Sequence, residues 1–340
     1  MRGRLCDILT KGKWLKRRMT DIAEKLFEIY EAPDAPLRLR RFEEIAEVSA
    51  AGFTGYDSFY AAFREGLLFI FKPYVPHKVP EKDTAFVDFY FYAYQELYGA
   101  KSRILKDLKG FCPEAETCTL GYKGLLLRFG FGRLLHNTLV SVKPFGTFFG
   151  VEIIDTDPSA RGDASSLAPT GGDGPFEDPG CRACGRCSAA CPSGALTDSG
   201  FDRFRCLRQR QFDNATLGDP AETEMGNRLL GCNECQLACP HNAGILGRIA
   251  RPGPDYYGLF NLEALAESCC RPGFKKGEYA KVLGYNYAKP VKVLGRTLSA
   301  MLNDDPAGHV DAVKRLMLLE NNYAAPLLER YLEIAGGGGG

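Results

Sequence analysis

The apolar positions change their spacing along the chain, and each change marks a new element. Leu15, Met19, Ile22, Leu26 and Ile29 recur at intervals of four, three, four and three, which predicts a helix over 14–30 with one apolar face. Pro33 and Pro36 stop it. A second helix is expected over Leu39–Val48, and a short third over Ser58–Arg64. Leu67–Phe71 is then an unbroken apolar run closed by Pro73 and Pro76, the pattern of a strand buried on both faces. Asp88–Leu108, rich in Tyr and Phe, reads as a long helix. Over Leu139–Ile154, β-branched and aromatic residues alternate around Gly146 and Gly150, which predicts two strands and a turn.

The stretch 156–180 is rich in Gly, Pro, Ser and Asp and has too little apolar surface to offset its ordering entropy. It is expected to be a flexible linker. After about His241 the pattern is helical again. Val291, Leu294, Leu298 and Met301 make one face, Val310, Val313 and Leu316 a second, and Leu327, Leu328, Tyr331 and Leu332 a third. Gly336–Gly340 reads as a flexible tail. The expected class is α+β. N-terminal helices would cover 1–64, a mixed α/β domain 65–155, a cysteine-rich domain 181–247, and a helical, repeat-like segment 248–335.

The length of 340 residues suits two or three packed units. The net charge of +1 excludes a polycationic nucleic-acid wrapper but permits a local basic patch. No apolar window is long enough to span a membrane. The first 18 residues hold Arg2, Arg4, Lys11, Lys13, Lys16, Arg17 and Arg18 and are too polar for a secretory core, so a cytoplasmic location is expected.

The outlying number is 13 cysteines. Eight lie between Cys181 and Cys239, and in a non-exported chain such clustering reads as metal binding. Cys181, Cys184, Cys187 and Cys191 are spaced by two, two and three residues and followed by Pro192, the bacterial ferredoxin spacing for a [4Fe–4S] cluster. Cys232, Cys235 and Cys239 follow, ahead of Pro240, with Cys206 between the two runs. Three thiolates in one tight loop take three corners of a cubane, and the fourth cysteine of the run points to the other cluster. The expected ligands are therefore Cys181, Cys184, Cys187 and Cys239 for one cluster. Cys191, Cys232, Cys235 and Cys206 would serve the second. A zinc ribbon would leave Cys187 and Cys191 without a role. Cys6, Cys112, Cys118, Cys269 and Cys270 read as inert thiols.

The passage Gly130–Thr138, continuing through Pro144–Phe149 to Thr156-Asp157, resembles the cobalamin-dependent epoxyqueuosine reductases. So do the cysteine runs, the Gly226-Asn227-Arg228 segment, and the Leu67–Phe71 strand with its Tyr74-x-Pro76 exit. The resemblance implies two [4Fe–4S] clusters and a cobalamin. Electrons would pass from an external donor through the clusters to cobalt, for reduction of epoxyqueuosine in tRNA. It also implies a proton-donating aspartate fourteen residues before Gly130. That position is Glu116, followed by Thr117. The role suits a carboxyl group raised by burial, and the alternative is a solvated glutamate beside Glu114. Departures from the family pattern include Glu116 itself, Cys118-Thr119 for glycine-proline, and Leu135-His136 for glycine-lysine.

Arg203, Arg205, Arg208 and Arg210 cluster around Cys206. From Arg248 to Arg296 there are nine Lys/Arg against four acids, interleaved with Tyr256, Tyr257, Tyr279, Tyr285 and Tyr287. Such a surface suits a nucleic-acid backbone and splayed bases, or a solvated helical face whose tyrosines pack inward. Two further functions remain open. One is a cobalamin-free [4Fe–4S] electron carrier serving a partner enzyme. The other is a corrinoid reductase with a non-tRNA substrate.

Overall fold

A computed structural model describes residues 40–41, 59–64, 66–78, 82–110, 112–156, 158, 179–247, 249, 252–274, 277–319 and 323–337. The expected helix over 14–30, most of the expected linker and the last glycines lie outside these residues. The chain divides into two units. The first runs to Tyr74 and resumes over Glu96–Pro179; the second comprises Val75–Gln95 and Gly180 onward.

The first unit is built on an antiparallel sheet of five strands. These are β1 (Arg40–Arg41), β2 (Tyr60–Arg64), β3 (Leu67–Pro73), β8 (Phe149–Asp155) and β5 (Glu116–Thr117), in that spatial order. β3 is central because its sequence has no polar face. Leu67, Phe69 and Phe71 enter one apolar cluster with Leu125, Phe131 and Phe149, while Ile70 joins Leu97 and Ile104 on the opposite side. The expected burial on both faces is therefore observed. The expected helix over Ser58–Arg64 is corrected to strand β2. Phe59 and Ala61 pack on one face, Tyr60 and Ala62 on the other, so alternation rather than a helical stripe satisfies both clusters. Arg40 and Arg41, expected to be helical, pair with Ala61 and Tyr60 as a strand.

Helix α1 (Phe89–Lys109) is the long helix expected from the sequence. Its residues through Gln95 belong to the second unit and the rest to the first. Helix α2 (Tyr122–Arg128) leads through Gly130 into a hairpin of β6 (Arg133–Leu134) and β7 (Val140–Ser141). This hairpin carries the glycine-rich passage, with Phe131 and Leu135 buried.

In the second unit, β4 (Phe86–Val87) pairs in parallel with β11 (Arg228–Leu230), although 140 residues of chain lie between Val87 and Arg228. A helical frame follows: α9 (Pro254–Leu259), α10 (Leu262–Cys270), α11 (Glu278–Leu283), α12 (Pro290–Asp304), α13 (Val310–Met317) and α14 (Ala325–Gly337). Leu294, Leu298 and Met301 are buried as expected, but Val291 is exposed and Val293 takes its place in the core. One apolar cluster joins Val87, Leu230, Phe260, Leu265, Leu298 and Tyr331.

The rings of Phe69 and Phe131 lie 4.7 Å apart, and Phe69 is fully buried. Phe69→Ala removes that packing and should cost about 3–5 kcal/mol. The measurement is the shift in urea midpoint followed by far-ultraviolet circular dichroism.

Candidate metal centre

The eight clustered cysteines all belong to the second unit and are carried by short turns. Helix α3 (Pro179–Cys184) holds Cys181 and Cys184, and α4 (Arg186–Ala189) holds Cys187. Between them Gly185 sits at φ 62°, in the left-handed region, which lets two helical turns follow each other at an angle. Cys191 follows, and the backbone N–H of Ala195 donates to its Sγ at 3.2 Å. Cys206 precedes α5 (Leu207–Arg210). Cys232 follows β11, Cys235 lies on α7 (Glu234–Leu237), and Cys239 precedes the turn at Pro240. Helices α4 and α7 pack on each other.

The thiols fall into two neighbourhoods. Burial pushes Cys235 well up, and Cys232, Cys206, Cys187 and Cys191 push it further. Burial raises Cys232, Arg228 opposes it, and Cys206 adds to the rise. Burial also raises Cys239, with His241's backbone opposing and Cys181, Cys187 and Cys184 adding. Cys187 is raised by burial and by Cys181. Cys181, Cys184, Cys187 and Cys239 are thus neighbours, as are Cys206, Cys232 and Cys235, with Cys191 and Cys187 both acting on Cys235. Cys187 and Cys235 are where the two groups meet. Such a donor set fits iron–sulfur cubanes: metal cations turn crowded thiols into ligands, where protons alone would leave them inert. The twelve described cysteines are all unbridged.

The frame beneath these turns is polar and buried. Gly231, at φ 98°, turns the chain from β11 into Cys232; a Cβ there would lie 2.5 Å from the Cβ of Asp88. Burial raises the Asp88 carboxyl, while Arg208 and the Tyr90 backbone N–H oppose the rise. The Gln211 side chain accepts from the Gly231 N–H, and the Asn233 amide donates to the His77 carbonyl at 2.9 Å. Arg296 donates to Glu222 and to the carbonyls of Arg210 and Asp213. Sequence reasoning did not single out Gly231, Gln211, Asn233, Glu222 or His77. Arg296, interrupting the apolar face of α12, was the legible signal for a buried ion pair.

The remaining expected residues are distributed as follows. Glu116 stands exposed on β5, an edge strand of the first unit, paired in register with Asp155. The burial expected of a proton donor is absent there. Its neighbour Thr117 accepts from Lys101 Nζ at 3.4 Å, and that ammonium pairs with Glu152 at 3.2 Å. Tyr256, Tyr279 and Tyr287 are core residues, whereas Tyr257 and Tyr285 are exposed. Arg210 is engaged by Glu222 and Glu224, and Arg208 lies 4.4 Å from the Tyr90 ring centre. Arg203 and Arg205 stay exposed beside Phe204, itself 73% exposed. No described helix is long and apolar enough to cross a membrane.

His77 is fully buried, its ring 3.9 Å from that of Phe89 and its Nε2 3.4 Å from the Tyr256 hydroxyl. Burial lowers it from 6.5 to about 4. The unfolded chain therefore takes up this proton first, and stability falls as pH drops from 6.5 towards 4. Between pH 7 and pH 5 the wild type should lose about 2 kcal/mol more than His77→Phe, measured by urea denaturation of both.

Residues 180–242 match the family described as 4Fe-4S double cluster binding domain. The chain is 32% identical over 131 residues to an epoxyqueuosine reductase of Bacillus subtilis, covering 38% of this chain and 31% of the relative. It is 34% identical over 122 residues to one of Burkholderia pseudomallei, covering 35% and 29%. The matched stretch thus spans about a third of the length of these curated relatives. Among solved structures, a selenomethionine-labelled epoxyqueuosine reductase superposes with a TM-score of 0.57 at 19% identity, over 94% of this chain and 90% of that one. The Streptococcus thermophilus enzyme gives 0.56 at 17%, over 95% and 84%. An epoxyqueuosine reductase with a modified tRNA stem loop gives 0.50 at 15%, over 94% and 99%. In the sequence of its double-cluster segment and in its α+β fold, the chain is epoxyqueuosine reductase-like.

Proposed function

We propose that this protein is an iron–sulfur oxidoreductase of the epoxyqueuosine reductase type. It would take electrons from an external donor and use a cobalamin to reduce epoxyqueuosine in tRNA. The observation that supports the reading is the gathering of eight thiols into adjoining groups within a double-cluster segment. Cys181, Cys184, Cys187 and Cys239 hold one [4Fe–4S] cluster in this proposal, and Cys191, Cys206, Cys232 and Cys235 the other. The Ala195 N–H to Cys191 Sγ and the Arg205 guanidinium beside Gly194 favour the reduced state of the second cluster.

For a corrin, the first unit offers a bare backbone at Gly130, with nothing within 4 Å of a Cβ position, and an unpartnered buried Nδ2 on Asn137. Lys123 Nζ donates to the Thr138 carbonyl at 2.6 Å and holds that loop. These features fit a corrin's edge amides. When bound, cobalamin supplies the low-potential cobalt chemistry. Glu116 delivers the proton that the departing epoxide oxygen takes up. Exposed Phe204 and Tyr285, with Arg203 and Arg205, offer stacking and phosphate contacts suited to tRNA. The likeness to an epoxyqueuosine reductase solved with a tRNA stem loop supports this partner.

The second reading is a cobalamin-free electron carrier. It draws on Leu135, a core residue where the family's stretch has glycine, and on the exposure of Glu116. Anaerobic reconstitution should give about eight irons per chain, and Cys206→Ser should lower this towards about four. Cobalamin added to the reconstituted protein should give a base-off corrin spectrum, and failure to retain it would favour the carrier. Glu116→Gln should cut turnover by about 100-fold or more with iron content unchanged. Unchanged turnover would remove Glu116 from the mechanism.

A further inference from the structure

The second unit contains a polar cluster that the cysteine chemistry does not use. His309, 4% exposed, precedes α13. Its Nδ1 lies 3.2 Å from Glu263 Oε1. Its Nε2 is buried without a hydrogen-bond partner and faces Asp304 Oδ2 at 3.5 Å and Asp83 Oδ1 at 3.8 Å. The ligand atoms of Asp83, Asp304 and His309 all lie within 4.8 Å of one another. Asp304 Oδ2 also accepts from the Asp83 backbone N–H at 3.1 Å, which fixes the two carboxylates side by side.

The charges do not close. Arg315 Nη2 lies 3.5 Å from Glu263 Oε2 and offsets that carboxylate. Asp83 and Asp304 are left sharing one imidazole nitrogen. Nδ1 is engaged by Glu263, and Nε2 faces both carboxylates with no hydrogen bond of its own, a position a cation bound among the three groups would use. The separations, 3.5 Å from His309 to Asp304 and 3.8 Å from His309 to Asp83, are close to those of a coordination sphere. Ligands about 2.0–2.2 Å from a tetrahedral centre sit about 3.3–3.6 Å from each other. Asp83 is largely exposed, so an ion and its completing waters can enter.

We propose that His309 Nε2 and the carboxylates of Asp83 and Asp304 bind a divalent first-row transition-metal ion, with Glu263 orienting the imidazole. One nitrogen and two carboxylate oxygens suit manganese, iron or zinc. The ion ties the chain entering β4 to the end of α12 and the start of α13. Mn²⁺ is the discriminating probe, because thiolate sites bind it poorly.

The test uses the anaerobically reconstituted protein, cleared of divalent ions with EDTA and titrated with Mn²⁺ under electron paramagnetic resonance. One Mn²⁺ per chain should bind, with coupling to an imidazole nitrogen that disappears in His309→Gln. Asp83→Asn and Asp304→Asn should each weaken binding about tenfold or more, and Glu263→Gln about 10–100-fold, at constant iron content. Mn²⁺ should raise the wild-type thermal midpoint by about 5 °C and that of Asp83→Asn by clearly less. No binding at millimolar Mn²⁺ would overturn the proposal. So would equal binding by wild type and both aspartate variants. An Asp83→Asn midpoint shift of the same size with and without Mn²⁺ would mean an ion-pair network only, and would also overturn it.

Discussion

Eight thiols brought into two adjoining neighbourhoods impose the constraint that organises the second unit. Cys187, Cys232, Cys235 and Cys239 are pushed towards their neutral form by burial and by their neighbours, so the arrangement is costly until metal replaces the protons. The three cysteine-bearing stretches are therefore held from outside. Arg296 on α12 reaches the carbonyls of Arg210 and Asp213, just beyond Cys206, and the carboxylate of Glu222. Tyr287 donates to the Leu229 carbonyl on the strand that delivers Cys232. The Asn242 amide donates to the Gln236 carbonyl beside Cys235. The bonds to the carbonyls of Arg210, Asp213, Leu229 and Gln236 fix backbone within seven residues of a thiol.

The parts legible in the sequence are those set by local spacing. The cysteine intervals announced the turns, and the apolar run at Leu67–Phe71 announced a doubly buried strand, because both signals are confined to a few residues. Phe59–Ala62 was misread because two alanines carry little hydrophobic contrast. Their alternation shows only once Phe59 and Tyr60 are seen to enter different clusters. The membership of Val75–Gln95 in the second unit depends on the parallel pairing of β4 with β11, a contact that no local pattern encodes. The tyrosines were ambiguous for a related reason. Tyr256 is buried because its hydroxyl takes the Val87 N–H at 2.7 Å and lies against His77, a role invisible in a basic and aromatic composition.

The first unit carries the departures from the epoxyqueuosine reductase pattern noted in the sequence, Glu116, Cys118-Thr119 and Leu135-His136. Its sheet is closed by ordinary means: β3 pairs with β8 along its full length, and aromatic rings from Tyr60, Phe71, Phe131, Phe145 and Phe149 fill one face. The altered residues lie in the hairpin and at the edge. Leu135 has gone into the core, and Gly132 abuts the Ser141 carbonyl of the facing strand, so its missing side chain serves hairpin closure. Glu116 sits on a two-residue edge strand, where a longer side chain meets no packing penalty. Edge and hairpin positions can change without disturbing β3, so the fold persists while the candidate chemistry shifts.

Helices α4 and α7, which bear Cys187 and Cys235, and α5, which follows Cys206, are four residues long. An isolated helix of that length is far below what nucleation permits, so their shape must come from what they pack on. Part of that support is the helical frame, through Arg296, Tyr287 and the apolar cluster running from Val87 to Tyr331. Iron–sulfur clusters held by the thiols would brace the same turns. Metal binding contributes to folding there, while the long helices supply what metal cannot, a fixed spacing between stretches far apart in sequence. Burying Arg296 with Glu222 is a weak source of net stability but a strong source of register, since either charge left alone in that core costs about 3–5 kcal/mol. A segment whose ligands must be placed to within a fraction of an ångström gains more from register than from a slightly more stable apolar pair.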